Sequence, residues 1–191
     1  MVSVKAMAKQ RLRREDWVEA ALEAIARKGV AGVAVEALAT RLRTTKGSFY
    51  WHFRDRRQLL RATCDHWAAL GAAITAPLAD AADPRERLRG LLAAFADNAH
   101  LLRVDAAIHA DADDPVVAPV LARVRAERLT FLRAAYEEMR VPDAAGRAVV
   151  AYAFYVGVLH LYRHAPKEIG ATSAVDLAKL YGHLGELLIP A

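Results

Sequence analysis

Apolar residues recur at helical spacing along almost the whole chain. They lie three or four positions apart over residues 17–25 and again over 35–42. A very short third helix is expected over residues 45–51, because Thr45 is a good N-cap residue. No stretch of the sequence alternates with a period of two, and no hairpin-turn sequence occurs. The pattern therefore predicts an all-α fold.

Longer helices are expected in the rest of the chain. The fourth has its apolar face over residues 60–74 and should end before Pro77, because proline interrupts the helical ladder. A fifth helix begins at Pro84 and keeps one apolar side as far as Leu102. Three more are expected over residues 117–139, 147–164 and 172–188, and an acidic segment at 111–115 reads as a solvated turn.

The last two predicted helices have distinctive apolar surfaces. Residues 148–162 are apolar nearly all round, which indicates burial on every side, and the final helix has a narrow seam suited to helix packing. Both helices belong either to the core of one chain or to a four-helix interface between two copies. The interface interpretation uses Val158, Leu161, Leu177, Tyr181, Leu184 and Leu188.

Length and composition indicate a folded protein of the cytoplasm. The 191 residues are 55% hydrophobic and 26% charged, enough to bury a core. The lone cysteine, Cys64, excludes an internal disulfide and favours a reducing compartment. The longest uncharged run, at 148–162, is too short to span a membrane, and no apolar signal core follows the basic N-terminus.

Positive charge is concentrated in the first third of the chain. The whole sequence has a net charge of +5, yet residues 1–66 carry 14 Lys and Arg against 7 Asp and Glu. A basic module joined to a near-neutral remainder indicates a polyanionic partner. Nucleic acid is the first interpretation and an anionic membrane surface is the second. The membrane interpretation requires large apolar residues opposite the basic ones at 5–14, and only Met7 and Leu12 are present.

The segment 33–53 reads VAVEALATRLRTTKGSFYWHF and holds two short helices separated by three or four residues. The second opens with hydroxyls, Lys46 and free backbone N–H groups, and such a helix N-terminus favours anions. Gly47 is costly inside a helix, which suggests that a partner approaches the backbone closely. This spacing matches a helix-turn-helix, whose second helix enters the major groove of DNA. An ordinary helical corner with a solvated basic surface is the alternative.

The first 70 residues resemble the DNA-binding domain of TetR-type (tetracycline-repressor-like) regulators. The resemblance rests on the stripe at 17–25, Gly29, VEALATRL at 35–42 and TKGSFYWHF at 45–53. It implies an N-terminal three-helix helix-turn-helix domain and a C-terminal helical domain for effector binding and dimerisation. It also implies a homodimeric repressor that binds operator DNA, is released by a small molecule, and has neither an enzymatic activity nor a cofactor. A transcriptional activator of the same family is the alternative.

The resemblance also implies domain bounds and contact residues. It implies a basic flexible tail at 1–9, the DNA-binding domain at 10–56 with its helix-turn-helix near 34–53, and the effector domain at 57–191. Thr45 to Ser48 would face the groove, Tyr50 and His52 would hold phosphates, and Arg56 would contact the DNA backbone. The full set of expected DNA-binding residues is Arg43, Thr44, Thr45, Lys46, Gly47, Ser48, Tyr50, Trp51, His52 and Arg56.

Two positions depart from the family pattern. Val33 and Ala34 stand where a hydroxyl residue commonly caps the second helix, so about 1 kcal/mol of cap stabilisation is missing. Arg43 stands where the inter-helix turn usually has glycine, and a left-handed backbone there would store roughly 1–2 kcal/mol of strain.

Bulky or polar side chains of the second domain are candidates for an effector pocket, with plain core packing as the alternative. They suit an apolar ligand with a few polar groups. The candidates are Trp67, Phe95, His100, His109, Phe131, Tyr152 and Tyr155. His160 and His164 have metal-binding spacing but no acidic neighbour, so a capping or interface role is expected and no metal site is predicted.

Overall fold

The computed structural model describes residues 12–168 and 174–190, and the predicted tail at 1–9 lies outside them. The described residues form nine α-helices and one short 3-10 turn, η1. The all-α prediction is therefore confirmed. The α-helices are α1 Arg14–Lys28, α2 Val35–Arg41, α3 Lys46–Tyr50, α4 Arg56–Ala79, α5 Pro84–Asp97, α6 Ala99–Ala110, α7 Val117–Glu138, α8 Ala144–His164 and α9 Ala174–Leu188, and η1 is Val30–Gly32.

Aromatic packing fixes the first three helices around Phe49. The Phe49 side chain is fully buried, and its ring meets the edge of Trp17 with 5.3 Å between ring centroids. Phe53 stacks on the other side at 5.6 Å. Because these rings anchor the inner face of α3, the remaining side chains of this five-residue helix point outward.

Helix α4 runs past Pro77 to Ala79, so the prediction that it ends before Pro77 is wrong. Pro77 lies in the last turn, where the loss of one backbone hydrogen bond is least disruptive. Leu78 also packs against α5 where Gly90 leaves room, since a Cβ at Gly90 would lie 2.6 Å from Leu78 Cδ2. This contact holds the final turn of α4 in place.

The predicted fifth helix is two helices that meet at Asn98. The Asn98 side chain accepts a hydrogen bond from the Leu101 N–H at 3.2 Å and so caps α6, while its own backbone is not helical. The chain therefore changes direction between α5 and α6. Helix α6 is heavily buried as a result, from Leu101 to Ile108 on most of its surface.

The structure distinguishes between the two interpretations of the apolar surfaces on the last two helices, which were burial in one chain and contact with a second copy. Leu177, Tyr181 and Leu184 of α9 are buried in the same chain with Phe95, so they do not form a surface open to a second copy. Their spacing serves α9 packing on α5. Leu188 is also partly buried in this core, and Val158 is buried beside it.

Helix α8 is not buried on every side, in contrast to the prediction. One side packs on α6 and α7, but Val149, Val150, Phe154 and Leu161 are exposed, from 40% to 57%. By length and composition alone, α8 is the one described helix that could cross a membrane. A single helix of this kind is weak evidence for a membrane protein, and one side of α8 packs on α6 and α7.

Candidate nucleic-acid interface and internal cavity

The turn between α2 and α3 has a left-handed residue at Arg43, with φ of 52°. The Arg43 N–H donates to the Thr40 carbonyl at 3.1 Å, and the Thr44 N–H donates to the Ala39 carbonyl at 2.9 Å. These two bonds form a Schellman motif, which usually has glycine at the left-handed position. The expected departure at Arg43 is therefore present and stores strain of roughly 1–2 kcal/mol.

The two helices of the helix-turn-helix are capped differently. The Thr45 hydroxyl accepts a hydrogen bond from the Ser48 N–H at 3.3 Å, so Thr45 caps α3 as predicted. Ala34 stands at the N-cap of α2 and provides no side-chain bond, which also agrees with the sequence. Helix α2 is held instead by the burial of Val35, Leu38 and Ala39.

The outer surface of α3 and its C-terminal flank is basic and aromatic. Lys46 and Gly47 are exposed, Tyr50 is 56% exposed and Trp51 is 82% exposed. A Cβ at Gly47 would meet only Thr45 Oγ1, at the ordinary contact distance of 3.6 Å. Packing within the chain therefore does not require glycine here, and the backbone is open to an outside partner.

Lys46 makes an ion pair with Glu36 of α2 at the edge of this surface. The Lys46 Nζ and Glu36 Oε1 atoms are 2.5 Å apart, and both side chains are largely exposed. The hydrogen bond from Lys46 lowers the pKa of the Glu36 carboxyl, and the same bond raises the pKa of Lys46. Both groups are therefore charged at neutral pH, and a phosphate would compete with Glu36 for Lys46.

Arg56 has a bracing role that the sequence did not reveal. Its Nε donates to the Val33 carbonyl at 2.6 Å and its Nη2 donates to the Val30 carbonyl at 2.7 Å. Two of its guanidinium nitrogens therefore tie α4 to the segment before α2. An arginine beside a helix-turn-helix has no sequence signal that separates this role from the expected contact with DNA.

Asp111 anchors η1 to the end of α6. Its Oδ2 accepts a hydrogen bond from the Val30 N–H at 2.8 Å. Gly29, with φ of +71°, makes this approach possible, because a Cβ there would lie 2.8 Å from Asp111 Oδ2. The interpretation of residues 111–115 as a solvated turn is therefore wrong for Asp111, which connects the first three helices to α6.

A narrow cavity of about 70 Å³ lies among α4, α5, α7, α8 and α9. Four of the predicted pocket residues line it, namely Phe95, Phe131, Tyr152 and Tyr155. Three others do not. The His100 side chain points towards α1, where its Nδ1 lies 3.8 Å from Glu23 Oε2. Trp67 and His109 lie behind the residues that line the cavity.

Asp105 forms a buried polar centre next to this cavity. Its carboxylate is fully buried and accepts hydrogen bonds from the Trp67 indole and the Tyr155 hydroxyl. Arg128 completes the set, with its Nη2 3.1 Å from Asp105 Oδ2. The guanidinium also lies over aromatic rings, 5.2 Å from the Tyr155 centroid and 5.6 Å from that of Trp67. The ion pair and the hydrogen bonds offset the cost of burying this carboxylate.

His109 joins this centre to the cavity wall. Its Nδ1 is 2.8 Å from the Asp105 carbonyl and its Nε2 is 3.1 Å from the Tyr152 hydroxyl. Burial lowers the pKa of His109, so the ring is neutral at pH 7. The histidine was predicted as a pocket residue and acts instead as a support for Tyr152.

No metal centre is present among the described residues, which contain no group of three or more His, Cys, Asp or Glu side chains suited to an ion. His160 and His164 lie side by side on α8 with 4.7 Å between ring centroids.

A nucleophilic role for Cys64 is excluded by its burial, which raises the pKa of the thiol to about 12.

The fold is an all-helical bundle that exposes the second helix of a helix-turn-helix. Residues 18–63 match the sequence profile described as bacterial regulatory proteins of the tetR family. The tetracycline repressor protein class C of Escherichia coli is 32% identical over 100 residues, which cover 52% of this chain and 45% of that protein. The N-terminal part of the chain is therefore similar to the helix-turn-helix region of tetR-family regulators. The alignment spans about half the length of this curated relative.

Solved structures of regulators share the whole fold. A transcriptional regulator from a Rhodococcus species superposes with a TM-score of 0.79 at 18% identity. The superposition covers 93% of this chain and 96% of the Rhodococcus chain. AibR, solved in complex with isovaleryl coenzyme A and operator DNA, superposes with a TM-score of 0.71 at 24% identity. The superposition covers 94% of this chain and 100% of the AibR chain. At these identities the likeness shows the fold alone.

Proposed function

We propose that this chain is a cytoplasmic, homodimeric repressor that a small-molecule effector releases from a pseudo-palindromic operator. The observation that carries the proposal is the outer surface of α3, where Lys46, Gly47, Tyr50 and Trp51 are exposed while Phe49 fixes the helix from within. Such a surface fits the major groove. The similarity of residues 18–63 to tetR-family regulators supports the same conclusion.

The DNA contacts divide by chemistry. Thr45 and Ser48 reach base edges from the start of α3, whereas Tyr50 and His52 hold phosphates beside it and Lys46 pairs with a phosphate at the edge of the groove. Arg43 is exposed in the preceding turn and adds a phosphate contact. Base contacts select the operator, and the basic contacts make the affinity depend steeply on salt.

Dimerisation uses the open side of α8. Val150, Phe154 and Leu161 lie on one face of this helix and are 50%, 45% and 40% exposed. Gly157 lies between them, and a Cβ there would meet nothing within 4 Å, so another helix can approach closely. A second copy packed on this face places two helix-turn-helix units on one DNA face, with half-sites about 34–36 Å apart.

The dimer is tested by a charge placed on this face. Leu161→Glu should convert the dimer to a monomer in sedimentation equilibrium, because two carboxylates would be buried without partners. Ala122→Glu, on the exposed side of α7, is the matched control and should remain dimeric. A Leu161→Glu protein that stays dimeric would move the interface away from α8.

Effector binding uses the cavity beside Asp105. AibR was solved with isovaleryl coenzyme A, and FadR of Bacillus subtilis, which shares the fold at a TM-score of 0.70 and 14% identity, was solved with stearoyl-CoA. Those complexes support a small-molecule role for the C-terminal helices of this chain. Helix α6 then carries the response, because it contacts the cavity wall through Asp105 and holds η1 through Asp111. A ligand shifts DNA binding only by its preference for one arrangement of α6.

The proposed function is tested with DNA from the region upstream of the gene. Fluorescence anisotropy at about 50–300 mM salt compares this duplex with a random duplex of equal length. A preference above about 10³ for the upstream duplex supports a sequence-specific regulator. Tyr50→Phe is the matched variant, since it removes only the hydroxyl of an exposed ring, and it should weaken binding. Failure to bind any DNA at low salt would overturn the proposal.

A further inference from the structure

Two hydrogen-bond donors at the cavity have no partner. Among the described residues, three buried side-chain polar atoms lack a hydrogen bond, and two of these, Arg128 Nη1 and Tyr181 Oη, belong to residues that line the cavity. Arg128 attracts the Tyr152 hydroxyl and makes a weak hydrogen bond with it, yet no acceptor lies at full hydrogen-bond geometry from Arg128 Nη1. Because Tyr181 is 2% exposed, water does not satisfy its hydroxyl from outside. A bound molecule with an oxygen acceptor would satisfy such groups.

The inner end of the cavity carries no net charge. Arg128 is balanced by Asp105 at 3.1 Å, and the neutral His109 adds nothing to the balance. The Asp105 carboxylate already accepts four hydrogen bonds from three side chains, so an ammonium group would find only the neutral Tyr181 oxygen and no free anion. An added carboxylate would bring a second negative charge into a site whose one cation is already paired.

The remaining walls are mostly apolar, and the space is small. Leucine and phenylalanine side chains such as Leu88, Leu92 and Phe131 make up half of the lining residues. The volume of about 70 Å³ is below the roughly 150 Å³ of an engineered cavity that binds benzene. A one-ring ligand therefore requires the cavity to widen to at least about twice its present volume.

We propose that the effector is a compact, uncharged, apolar molecule with a carbonyl oxygen, such as a ketone, ester or lactone, held by Arg128 Nη1 and the Tyr181 hydroxyl. This inference rests on the proposed function, in which the cavity is the effector site. It also sets the selectivity of the cavity. A matching carboxylate and a matching protonated amine each lack a free counter-charge there, and a matching hydrocarbon leaves both donors unpaired.

A size-matched series tests this selectivity on the protein without DNA. Acetophenone, benzoate, benzylamine and ethylbenzene share one ring and differ in the attached group. Titrations followed by protein NMR should give acetophenone an affinity at least about tenfold above benzoate and benzylamine, and several-fold above ethylbenzene. Equal or tighter binding of benzoate, benzylamine or ethylbenzene would overturn the proposal. Absence of acetophenone binding up to its solubility would do the same.

Two tyrosine variants locate the selectivity. Tyr181→Phe removes the unpaired hydroxyl, so the preference for acetophenone over ethylbenzene should fall about threefold or more while ethylbenzene binds as before. Tyr136→Phe is the matched control, because that hydroxyl lines the same cavity but already donates to the Leu188 carbonyl at 3.0 Å. An unchanged preference in Tyr181→Phe would remove this residue from the site.

The two proposals fail separately. Selective acetophenone binding by a protein that binds no DNA would leave the cavity chemistry standing and remove the repressor function. Specific DNA binding by a protein without the ketone preference would keep the repressor and overturn the effector class.

Discussion

Arg43 and Arg140 occupy the same position at the ends of two different helices. Both have left-handed backbones, with φ of 52° and 56°. In each case the arginine N–H and the next N–H bond back to the last turn, which gives one Schellman motif after α2 and another after α7. Both sites hold a residue with a Cβ where glycine is favoured, so both store strain. Only the one at Arg43 lies beside the proposed DNA surface.

Replacing these arginines separates strain from DNA contact. Arg43→Gly and Arg140→Gly should each raise the free energy of unfolding by about 1 kcal/mol, since glycine relieves the left-handed strain. Arg43→Gly should also weaken DNA binding and flatten its salt dependence, because a phosphate contact is lost. Urea denaturation and anisotropy measure the two effects.

Arg140→Gly is the control for this experiment, because it makes the same backbone change far from α3. Its affinity for DNA should equal that of the unaltered protein. An equal loss of affinity in both variants would show that Arg43 acts through the fold and not through a phosphate.

Substitution of Lys46 and substitution of Glu36, which form an ion pair, should have opposite effects on DNA affinity. Lys46→Ala should weaken DNA binding and reduce the slope of log K against log salt by about 1. Glu36→Gln should strengthen DNA binding severalfold, because Lys46 would no longer be held by a carboxylate that also repels phosphate. Anisotropy titrations at several salt concentrations measure both. If Glu36→Gln bound DNA more weakly, Glu36 would be positioning Lys46 for the groove and not competing for it.

Local chemistry made the DNA-binding module predictable. The apolar stripes, the Thr45 cap and the uncapped Ala34 depend on neighbours within four residues, and the structure has each of them as expected. The left-handed residue at Arg43 was expected from the resemblance, because TetR-type regulators usually have glycine at this turn position, and the structure has it. Features that depend only on neighbours within a few residues can be recognised from a short stretch of sequence.

Contacts between distant residues were not predictable in the same way. Asp105 bonds Trp67, Arg128 and Tyr155 from three other helices, and nothing near Asp105 in the sequence indicates which residues surround it. The errors in the predictions for the C-terminal helices have the same origin: the seam of α9 is buried within the chain, and one side of α8 is exposed. A heptad-like seam shows that α9 packs on a helix but not on which one, so burial against α5 and contact with a second copy had equal support.

The bond from Asp111 to Val30 predicts a loss of stability from a single truncation. Asp111→Ala leaves the half-buried Val30 N–H without its acceptor, which should lower the free energy of unfolding by about 1–3 kcal/mol. Asp113→Ala is the matched control, since it removes an exposed carboxylate from the same acidic segment. Equal stabilities of the two variants in urea would show that the anchor contributes nothing measurable.

Cys64 predicts a loss of stability in alkali. Burial, aided by the negative charges of Asp65 and Asp114, raises the pKa of its thiol from 9.0 to about 12. Above pH 9 the unfolded chain therefore releases a proton that the folded chain keeps. The contribution of the protonated thiol to stability is complete below pH 9, and it declines as the pH rises from 9 towards 12.

The decline is measured as a difference between two proteins. Subtracting the free energy of unfolding of Cys64→Ala from that of the unaltered protein cancels the titration of the tyrosines, which both proteins share. The difference should be constant up to about pH 8 and then fall by as much as about 1.4 kcal/mol per pH unit once the unfolded thiol ionises. A difference that stays flat to pH 10.5 would mean that the folded thiol ionises as easily as the unfolded one, and so that Cys64 is reached by water.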